Sequence, residues 1–131
     1  MSLPTAADIS RKLLAGRRVL VVEDEYFLAD DIAHALAAVG AQIIGPIADI
    51  EEAETLLRQG ETVDAAVLDV NVRSKMIFSL AHALRARQIP FVFATGYDRI
   101  SLDMEFQDVP VWEKPLDLSN LARSLAGMLA K

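Results

Sequence analysis

Short apolar runs rich in β-branched residues alternate along this chain with segments in which apolar residues recur every three or four positions. This alternation constrains the fold more than any other feature of the sequence. Five runs predict strands, at residues 18–22, 42–47, 63–68, 90–94 and 109–112. The first, third and fourth are almost continuously apolar, which is typical of parallel strands covered on both faces.

Helical spacing fills the intervals between these runs. The apolar positions are Leu28, Ile32, Leu36 and Val39 before Gly40, then Ala53, Leu56 and Leu57 after a capping Asp49, then Ile77, Leu80, Ala81 and Leu84, and finally Leu118, Leu121, Leu125 and Leu129. Residues 98–108 are less regular. Their alternating apolar residues fit a strand, whereas their i,i+4 pairs fit a short helix, and both interpretations stand.

Strands and helices in alternation predict βαβ units. We therefore expect an α/β fold in three layers, a doubly wound parallel sheet of five strands with helices on both sides. In such sheets ligands bind outside the carboxyl ends of the strands, where the strand order reverses. The strand ends are thus the place to look for chemistry.

Composition narrows the function. A chain of 131 residues has room for one domain. Because it contains no cysteine, disulfides, thiolate metal sites and cysteine nucleophiles are excluded. The net charge of −6 argues against nucleic acid and anionic membranes as partners. Neither a secretory signal nor an apolar run long enough to cross a bilayer is evident, so we expect a cytoplasmic protein.

Acidic residues follow two of the strands. Glu23, Asp24 and Glu25 come after the first run, and Asp69 comes after the third. Two carboxylates about 4 Å apart repel by roughly 4 kcal/mol at an effective dielectric near 20. A cluster of this kind calls for a cation, and with oxygen ligands alone magnesium fits best.

The last two strands end in residues that suit an anion. Lys114, before Pro115, provides a compact positive charge, and Thr95 can donate a hydrogen bond. A phosphoryl group between the metal and the protein would need such partners on its far side.

Taken together, Glu23-Asp24, Asp69, Thr95 and Lys114-Pro115 resemble the receiver domain of bacterial two-component response regulators, from about Arg17 onward. The resemblance implies a flavodoxin-like (βα)5 domain with strand order 2-1-3-4-5. It also implies a role in phosphorelay signal transduction, in which a sensor histidine kinase or a phosphotransfer protein donates a phosphoryl group.

The same resemblance implies a role for each site residue. Asp69 would be the phosphoacceptor, Thr95 and Lys114 would bind the phosphoryl oxygens, and Mg²⁺ would be held by Glu23, Asp24, Asp69 and the backbone carbonyl of Asn71. A carboxylate nucleophile forms an acyl phosphate, and catalysis is then mostly positioning and charge neutralisation. Lys114-Pro115 is often a cis peptide in this family.

Residues 93–97, Phe-Ala-Thr-Gly-Tyr, resemble the alphaproteobacterial receivers known by that signature. Two departures from ordinary receivers stand out. Val111 replaces the usual switch aromatic, which leaves Tyr97 as the candidate gate. Val-Arg-Ser-Lys at 72–75 replaces the common Pro and Gly of the loop after the acceptor.

The resemblance divides the chain into a receiver domain at 17–131 and an N-terminal extension at 1–16, which is read as a linker or as a short helix. These residues leave no room for an output domain. The output is therefore expected either through a protein contact on the face built from residues 98–131, or through a larger polypeptide of which this chain is a piece. Oligomers could form through the part of that face built from the fourth helix at 98–108, the fifth strand at 109–112 and the fifth helix at 118–129. Beyond self-directed phosphoryl transfer and acyl phosphate hydrolysis, no enzyme activity is expected.

Alternatives come from other classes. A receiver-like interaction module that is never phosphorylated is suggested by Val111 and by the unusual segment 72–75, although the presence of Asp24, Asp69, Thr95 and Lys114 argues against it. A metal-dependent phosphatase would need an acid/base residue two positions past Asp69, where Asn71 stands. Nucleotide binding is excluded because no glycine-rich phosphate loop follows the first strand.

Overall fold

The computed structural model describes residues 3–73, 75–96 and 104–130, and in this part of the chain five strands form a parallel sheet in the order β2-β1-β3-β6-β7. The sheet strands are β1 (Arg18–Val22), β2 (Gln42–Ile47), β3 (Ala65–Asp69), β6 (Phe91–Thr95) and β7 (Val111–Glu113). Two shorter strands, β4 (Asn71–Val72) and β5 (Lys75–Met76), pair antiparallel in a separate hairpin. Counted along the chain, the sheet order is 2-1-3-4-5, which confirms the predicted flavodoxin-like fold.

Helices connect the strands. They are α1 (Ala6–Arg11), α2 (Tyr26–Ala38), α3 (Ile50–Arg58), α4 (Phe78–Ala86) and α5 (Leu118–Leu129). Asp49 caps α3 as predicted, accepting a hydrogen bond of 3.0 Å from the Glu51 N–H. In the irregular segment 98–108, a single 3-10 turn spans Met104–Phe106, and residues 97–103 lie outside the described residues.

The last three sheet strands end one residue later than the apolar pattern predicts. Asp69 pairs with Ala94, and Thr95 pairs with Glu113, so polar residues belong to the ladder itself. Backbone pairing does not depend on the polarity of the side chain, and an apolar run therefore underestimates the strand. As a result, the rigid ladder carries the Asp69 side chain directly.

Two apolar cores lie on opposite faces of the sheet, since successive strand side chains point to opposite sides. In β1, Leu20 and Val22 face α3 and α4, whereas Val19 and Val21 face α2 and α5. All four are fully buried, and each contributes roughly 1.5–3 kcal/mol of transfer free energy. The resulting three layers hold the strand ends at fixed positions.

Phe106 anchors the turn at Met104–Phe106 in the core on the α3 and α4 side of the sheet. Its ring is fully buried and stacks on Phe78 with centroids 5.6 Å apart. Arg85 of α4 donates a 2.8 Å hydrogen bond to the Glu105 carbonyl and pairs with Asp108 at 3.1 Å. The chain entering β7, and therefore Lys114 beyond it, is held by α4.

The N-terminal helix packs on the C-terminal helix through a polar contact that we call the α1–α5 junction, formed by Thr5, Asp8, Ser119 and Arg123. The Asp8 carboxylate accepts hydrogen bonds from the Thr5 N–H at 2.9 Å, the Ser119 hydroxyl at 3.0 Å and the Arg123 guanidinium at 3.0 Å. Leu14, which follows α1, is fully buried in the second core. Residues 5–14 are thus packed against the domain.

Among the described helices, none combines the length and the apolar character needed to cross a membrane.

Candidate functional site

Three carboxylates meet at the carboxyl edge of the sheet, where β1 and β3 lie side by side. Glu23 and Asp24 follow β1, and Asp69 is the last residue of β3. One oxygen from each carboxylate lies within 4.8 Å of the others. Glu23 and Asp69 are buried, while Asp24 is exposed to solvent. We call Glu23, Asp24, Asp69 and the neighbouring Lys114 the strand-end cluster.

Lys114 reaches the cluster from the end of β7. Its N–H donates a 2.9 Å hydrogen bond to the Thr95 carbonyl, and its peptide bond to Pro115 is cis. The ammonium lies 3.0 Å from Glu23 Oε1 and 3.4 Å from Asp69 Oδ2. One cation therefore faces two buried carboxylates.

The charges of the cluster are unbalanced. Burial and the adjacent Asp69 carboxylate raise the pKa of Glu23 to about 7. Burial alone would lower the pKa of Lys114, but the hydrogen bond to Glu23 and the two nearby carboxylates raise it overall. Lys114 accordingly stays protonated, whereas Glu23 holds its proton to near-neutral pH unless another cation enters.

Backbone N–H groups provide a second kind of neutralisation. Glu23 Oε2 accepts a hydrogen bond from the Glu25 N–H at 3.1 Å, and Asp69 Oδ1 accepts one from the Asn71 N–H at 3.2 Å. Asp24 Oδ2 accepts one from the Arg73 N–H at 2.8 Å. Each carboxylate of the cluster thus has one backbone donor.

The cluster suits a hard divalent cation. Its donors are carboxylate oxygens, and the chain has no cysteine to favour zinc. The raised pKa of the buried Glu23 indicates that a positive charge is missing at this place. The donor set therefore fits Mg²⁺.

The other predicted site residues lie near the strand-end cluster, except Tyr97, which is not among the described residues. Thr95 ends β6, half-buried, next to the strand that carries Lys114. Asn71 lies on β4, and its N–H contacts Asp69. Val111 pairs with Phe93 in the ladder and has 45% of its surface exposed, while Tyr97 lies outside the described residues.

Sequence reasoning missed three features near these residues. It did not anticipate the α1–α5 junction, although Thr5 and Asp8 have the spacing of a capping box and form one. It missed Tyr26 and Phe27, two exposed aromatics that begin α2 next to the acidic residues. It also missed the contact of the Arg73 N–H with Asp24, which has no side-chain signature.

No protein-family model and no curated protein matches the chain. Solved structures do match it. The BeF3-activated conformation of SdrG from Pseudomonas melonis Fr1 is 37% identical, with a TM-score of 0.70, over 88% of this chain and 98% of that one. The receiver domain of the hybrid histidine kinase CckA is 28% identical, with a TM-score of 0.71, over 86% and 98%. A signal receiver domain of a modulated diguanylate cyclase from Desulfovibrio desulfuricans G20 is 25% identical, with a TM-score of 0.71, over 86% and 93%.

Proposed function

This chain belongs to the receiver domains of response regulators, and from that premise we propose that it is a phosphoacceptor that switches a protein-binding face. The donor is a phosphohistidine on a sensor histidine kinase or a phosphotransfer protein, and Asp69 is the acceptor. The observation that carries the proposal is the strand-end cluster, in which a buried carboxylate lies 3.4 Å from a lysine ammonium beside two further carboxylates.

The chemistry follows from the charges. An Asp69 carboxylate oxygen attacks the phosphorus of the donor, the new P–O bond forms, and the P–N bond breaks with its electron pair going to the imidazole. Lys114 lies opposite the two acids and is protonated, so it neutralises charge on the phosphoryl oxygens throughout. Thr95, one strand away, donates a hydrogen bond to the same oxygens.

A divalent cation completes the site. Glu23, Asp24, Asp69 and the Asn71 carbonyl would hold Mg²⁺, which when bound supplies positive charge to the phosphoryl oxygens. Without that cation Asp69 is a poor nucleophile towards an anionic phosphoryl group, because the Asp69 and Asp24 carboxylates repel it, and Glu23 adds to the repulsion once it is ionised. Cation binding and phosphoryl transfer are thus linked.

We place the output on the face built from residues 98–131. Within it, Val111 stands where ordinary receivers have an aromatic switch residue, and it is 45% exposed. A threonine that moves towards the phosphoryl group therefore has no aromatic at 111 to draw inward. Tyr97, in the Phe-Ala-Thr-Gly-Tyr stretch typical of one alphaproteobacterial subgroup, is the proposed gate in its place.

The remaining parts of the proposal concern the whole molecule. The receiver proper is residues 17–131, with residues 1–16 as an N-terminal extension. The protein acts in the cytoplasm and reacts only on itself. It passes its signal by contact with a protein partner or with a second copy of itself, bound through the face formed by residues 98–108, β7 and α5.

Labelling with acetyl phosphate and Mg²⁺ tests the proposal. Intact-protein mass spectrometry should show one added phosphoryl group on the wild type and none on Asp69→Asn. The matched control is Asp49→Asn, because Asn also caps helices well and Asp49 serves only α3. Equal labelling of Asp69→Asn and wild type would show that Asp69 is not the acceptor.

The second candidate is a receiver-like interaction module without phosphorylation, which the exposed Val111 favours. It predicts neither labelling nor a fluorescence response of Trp112, the single tryptophan, to millimolar Mg²⁺. A wild type that binds Mg²⁺ and takes up phosphoryl groups excludes this candidate.

A further inference from the structure

The segment after the proposed acceptor forms an anchored hairpin in place of an open loop. β4 and β5 pair antiparallel, with Asn71 opposite Met76 and Val72 opposite Lys75. The Ile77 N–H donates a 3.1 Å hydrogen bond to the Val70 carbonyl and closes the base of the hairpin. Val70 and Val72 are each 1% exposed and belong to the first core. The position of the hairpin relative to the sheet is therefore fixed by packing.

Two N–H groups of this hairpin point at two different acids. Asn71 donates to Asp69, at the end of β3, and Arg73 donates to Asp24, after the neighbouring β1. The hairpin thereby spans the two strand ends between which a cation would lie. No other described backbone segment contacts both of these carboxylates.

The contact of Arg73 depends on an unusual backbone conformation. Arg73 has a φ of 51°, in the left-handed region that L-residues other than Asn and Asp rarely adopt. Its guanidinium plays no part in the 2.8 Å bond, which is made by the N–H alone. A conformation that costs free energy is retained here together with a short hydrogen bond to an acid, which suggests that the direction of this N–H matters.

The hydrogen bond from the Arg73 N–H to Asp24 is not needed to satisfy a buried carboxylate. Asp24 is exposed to solvent, so water could satisfy its oxygens without the Arg73 N–H. What water cannot do is hold the carboxylate in one rotamer, facing Asp69. The free energy of this hydrogen bond is therefore available for orientation.

We propose that the β4–β5 hairpin is a positioning element of the cation site, in which the Arg73 N–H holds Asp24 in the orientation that binds the metal. This inference rests on the proposed function, because it assumes that Asp24 is a ligand. Arg73 acts through Asp24 and is a positioning residue. Prior orientation reduces the ordering cost of binding, so its loss is expected to weaken the cation affinity rather than to remove the site.

Two substitutions at the same position separate the N–H from the side chain. Arg73→Pro removes the N–H and cannot adopt a positive φ. Arg73→Ala keeps the N–H and has the same backbone preference as Arg, while both variants lose the same charge. Isothermal titration of the metal-free proteins with Mn²⁺, and with Mg²⁺ followed by Trp112 fluorescence, measures Kd. We expect Arg73→Pro to bind about tenfold more weakly than Arg73→Ala.

Equal Kd values for Arg73→Pro and Arg73→Ala, with both proteins folded by circular dichroism, would overturn the inference and leave the proposed function intact. A wild type that binds neither cation overturns both. The two failures are therefore distinguishable.

A second measurement needs no metal, and it tests the inference even if Arg73→Pro does not fold. In the wild type the Arg73 amide proton should exchange slowly with solvent by NMR, because it is bonded to Asp24. Asp24→Ala should speed this exchange at least about tenfold. The Val22 amide, within the sheet, is the internal reference and should not change. An unchanged Arg73 exchange rate in Asp24→Ala would contradict the inference.

Discussion

Among the described residues, buried carboxylates occur in two regions, and their pKa values are shifted in opposite directions in the two. At the α1–α5 junction, the Asp8 carboxylate is 4% exposed. The Thr5 N–H is the strongest influence on it, and with the Thr5 and Ser119 hydroxyls and the Arg123 guanidinium it lowers the pKa of Asp8 to about 2 against the effect of burial. In the strand-end cluster, burial and Asp69 raise the pKa of Glu23 to about 7.

The difference lies in the supply of donors. The Asp8 carboxylate accepts from the Arg123 guanidinium, the Thr5 N–H and the Ser119 hydroxyl, and it shares this cation with no other carboxylate among the described residues. Glu23 and Asp69, in contrast, share Lys114 and repel each other. A carboxylate surrounded by its own donors stabilises the fold in its charged form. A buried carboxylate with too few donors destabilises the fold until a cation binds. Groups with strongly perturbed pKa values of this kind are concentrated at functional sites. The α1–α5 junction therefore stabilises the fold, whereas the strand-end cluster has too little positive charge for its carboxylates.

Removing the well-supplied carboxylate should have the largest effect on stability. Asp8→Ala leaves the Thr5 N–H and the Ser119 hydroxyl without the carboxylate that accepts from them, and it removes the bond from Arg123 that ties α5 to α1. We expect the midpoint of thermal unfolding to fall by about 10 °C. Differential scanning calorimetry in EDTA measures it.

Asp30→Ala is the control, because Asp30 also lies on a helix but its side chain is 51% exposed and its partner in the described part of the chain is the exposed His34. Its midpoint should move by no more than about 2 °C. Equal midpoints for Asp8→Ala and Asp30→Ala would mean that the junction adds little to stability.

The pH dependence should separate the two regions next. Below pH 4.5, the usual pKa of a Glu carboxyl, Glu23 is protonated in both the folded and the unfolded chain, and its contribution is fully present. As the pH rises towards 7, the unfolded chain releases this proton and the folded chain keeps it, so the metal-free protein loses about 3 kcal/mol of stability. Asp8 behaves in the opposite way, because its contribution is complete above pH 3.8 and is lost as the pH falls towards 2.

Urea unfolding in EDTA between pH 2 and pH 8 tests both windows. Glu23→Gln should flatten the curve between pH 4.5 and 7 and leave the acid limb unchanged. Asp8→Asn should flatten the acid limb alone. A single variant that altered both limbs would contradict the assignment of each window to one region.

Charge removal inside the cluster should stabilise the fold. Asp69→Asn relieves the repulsion of Glu23 and leaves Lys114 its closer partner, at 3.0 Å. We expect the free energy of unfolding at pH 7.5 in EDTA to rise by about 1 kcal/mol. Glu25→Gln is the control, since Glu25 is 64% exposed and lies 3.9 Å from Lys114, and it should change stability by less than about 0.5 kcal/mol. A loss of stability in Asp69→Asn would show that the carboxylate is not under strain.

Much of the fold could be predicted because it depends on local patterns. Burial on both faces makes β1 and β3 almost continuously apolar, and apolar residues spaced by three or four positions mark α2 and α5, so these elements are visible in the sequence. The meeting of Glu23, Asp24 and Asp69 also follows, since the carboxyl ends of neighbouring parallel strands lie at one edge. The roles of these acids, and those of Asn71, Thr95, Tyr97, Val111 and Lys114, stay predictions.

Contacts between distant parts of the chain could not be predicted in this way. Asp8 and Arg123 are 115 residues apart, and each looks like an ordinary exposed helix residue until α1 is placed on α5. The Arg73 N–H is a backbone group, which every residue but proline has, and only the turn geometry aims it at Asp24. Residues 98–108 were ambiguous because their pattern satisfies two periods at once, and a 3-10 turn at Met104–Phe106 follows neither.

The smallest expected effect is the coupling between the two regions. Among the described residues, the α1–α5 junction and the strand-end cluster share no hydrogen-bond or ion-pair partner. The changes in the free energy of unfolding of Asp8→Ala and Asp69→Asn should therefore add in the double variant to within about 0.5 kcal/mol. Urea unfolding of the wild type, both single variants and the double variant at pH 7.5 in EDTA completes this double-mutant cycle.

The same four proteins allow a second test of the coupling. Asp8→Ala should not alter the Mg²⁺ affinity measured by Trp112 fluorescence, whereas Asp69→Asn should lower it. A coupling well above this limit, or a weaker Mg²⁺ affinity in Asp8→Ala, would mean that the N-terminal helix influences the strand ends through α5, and the two regions would then have to be treated as one.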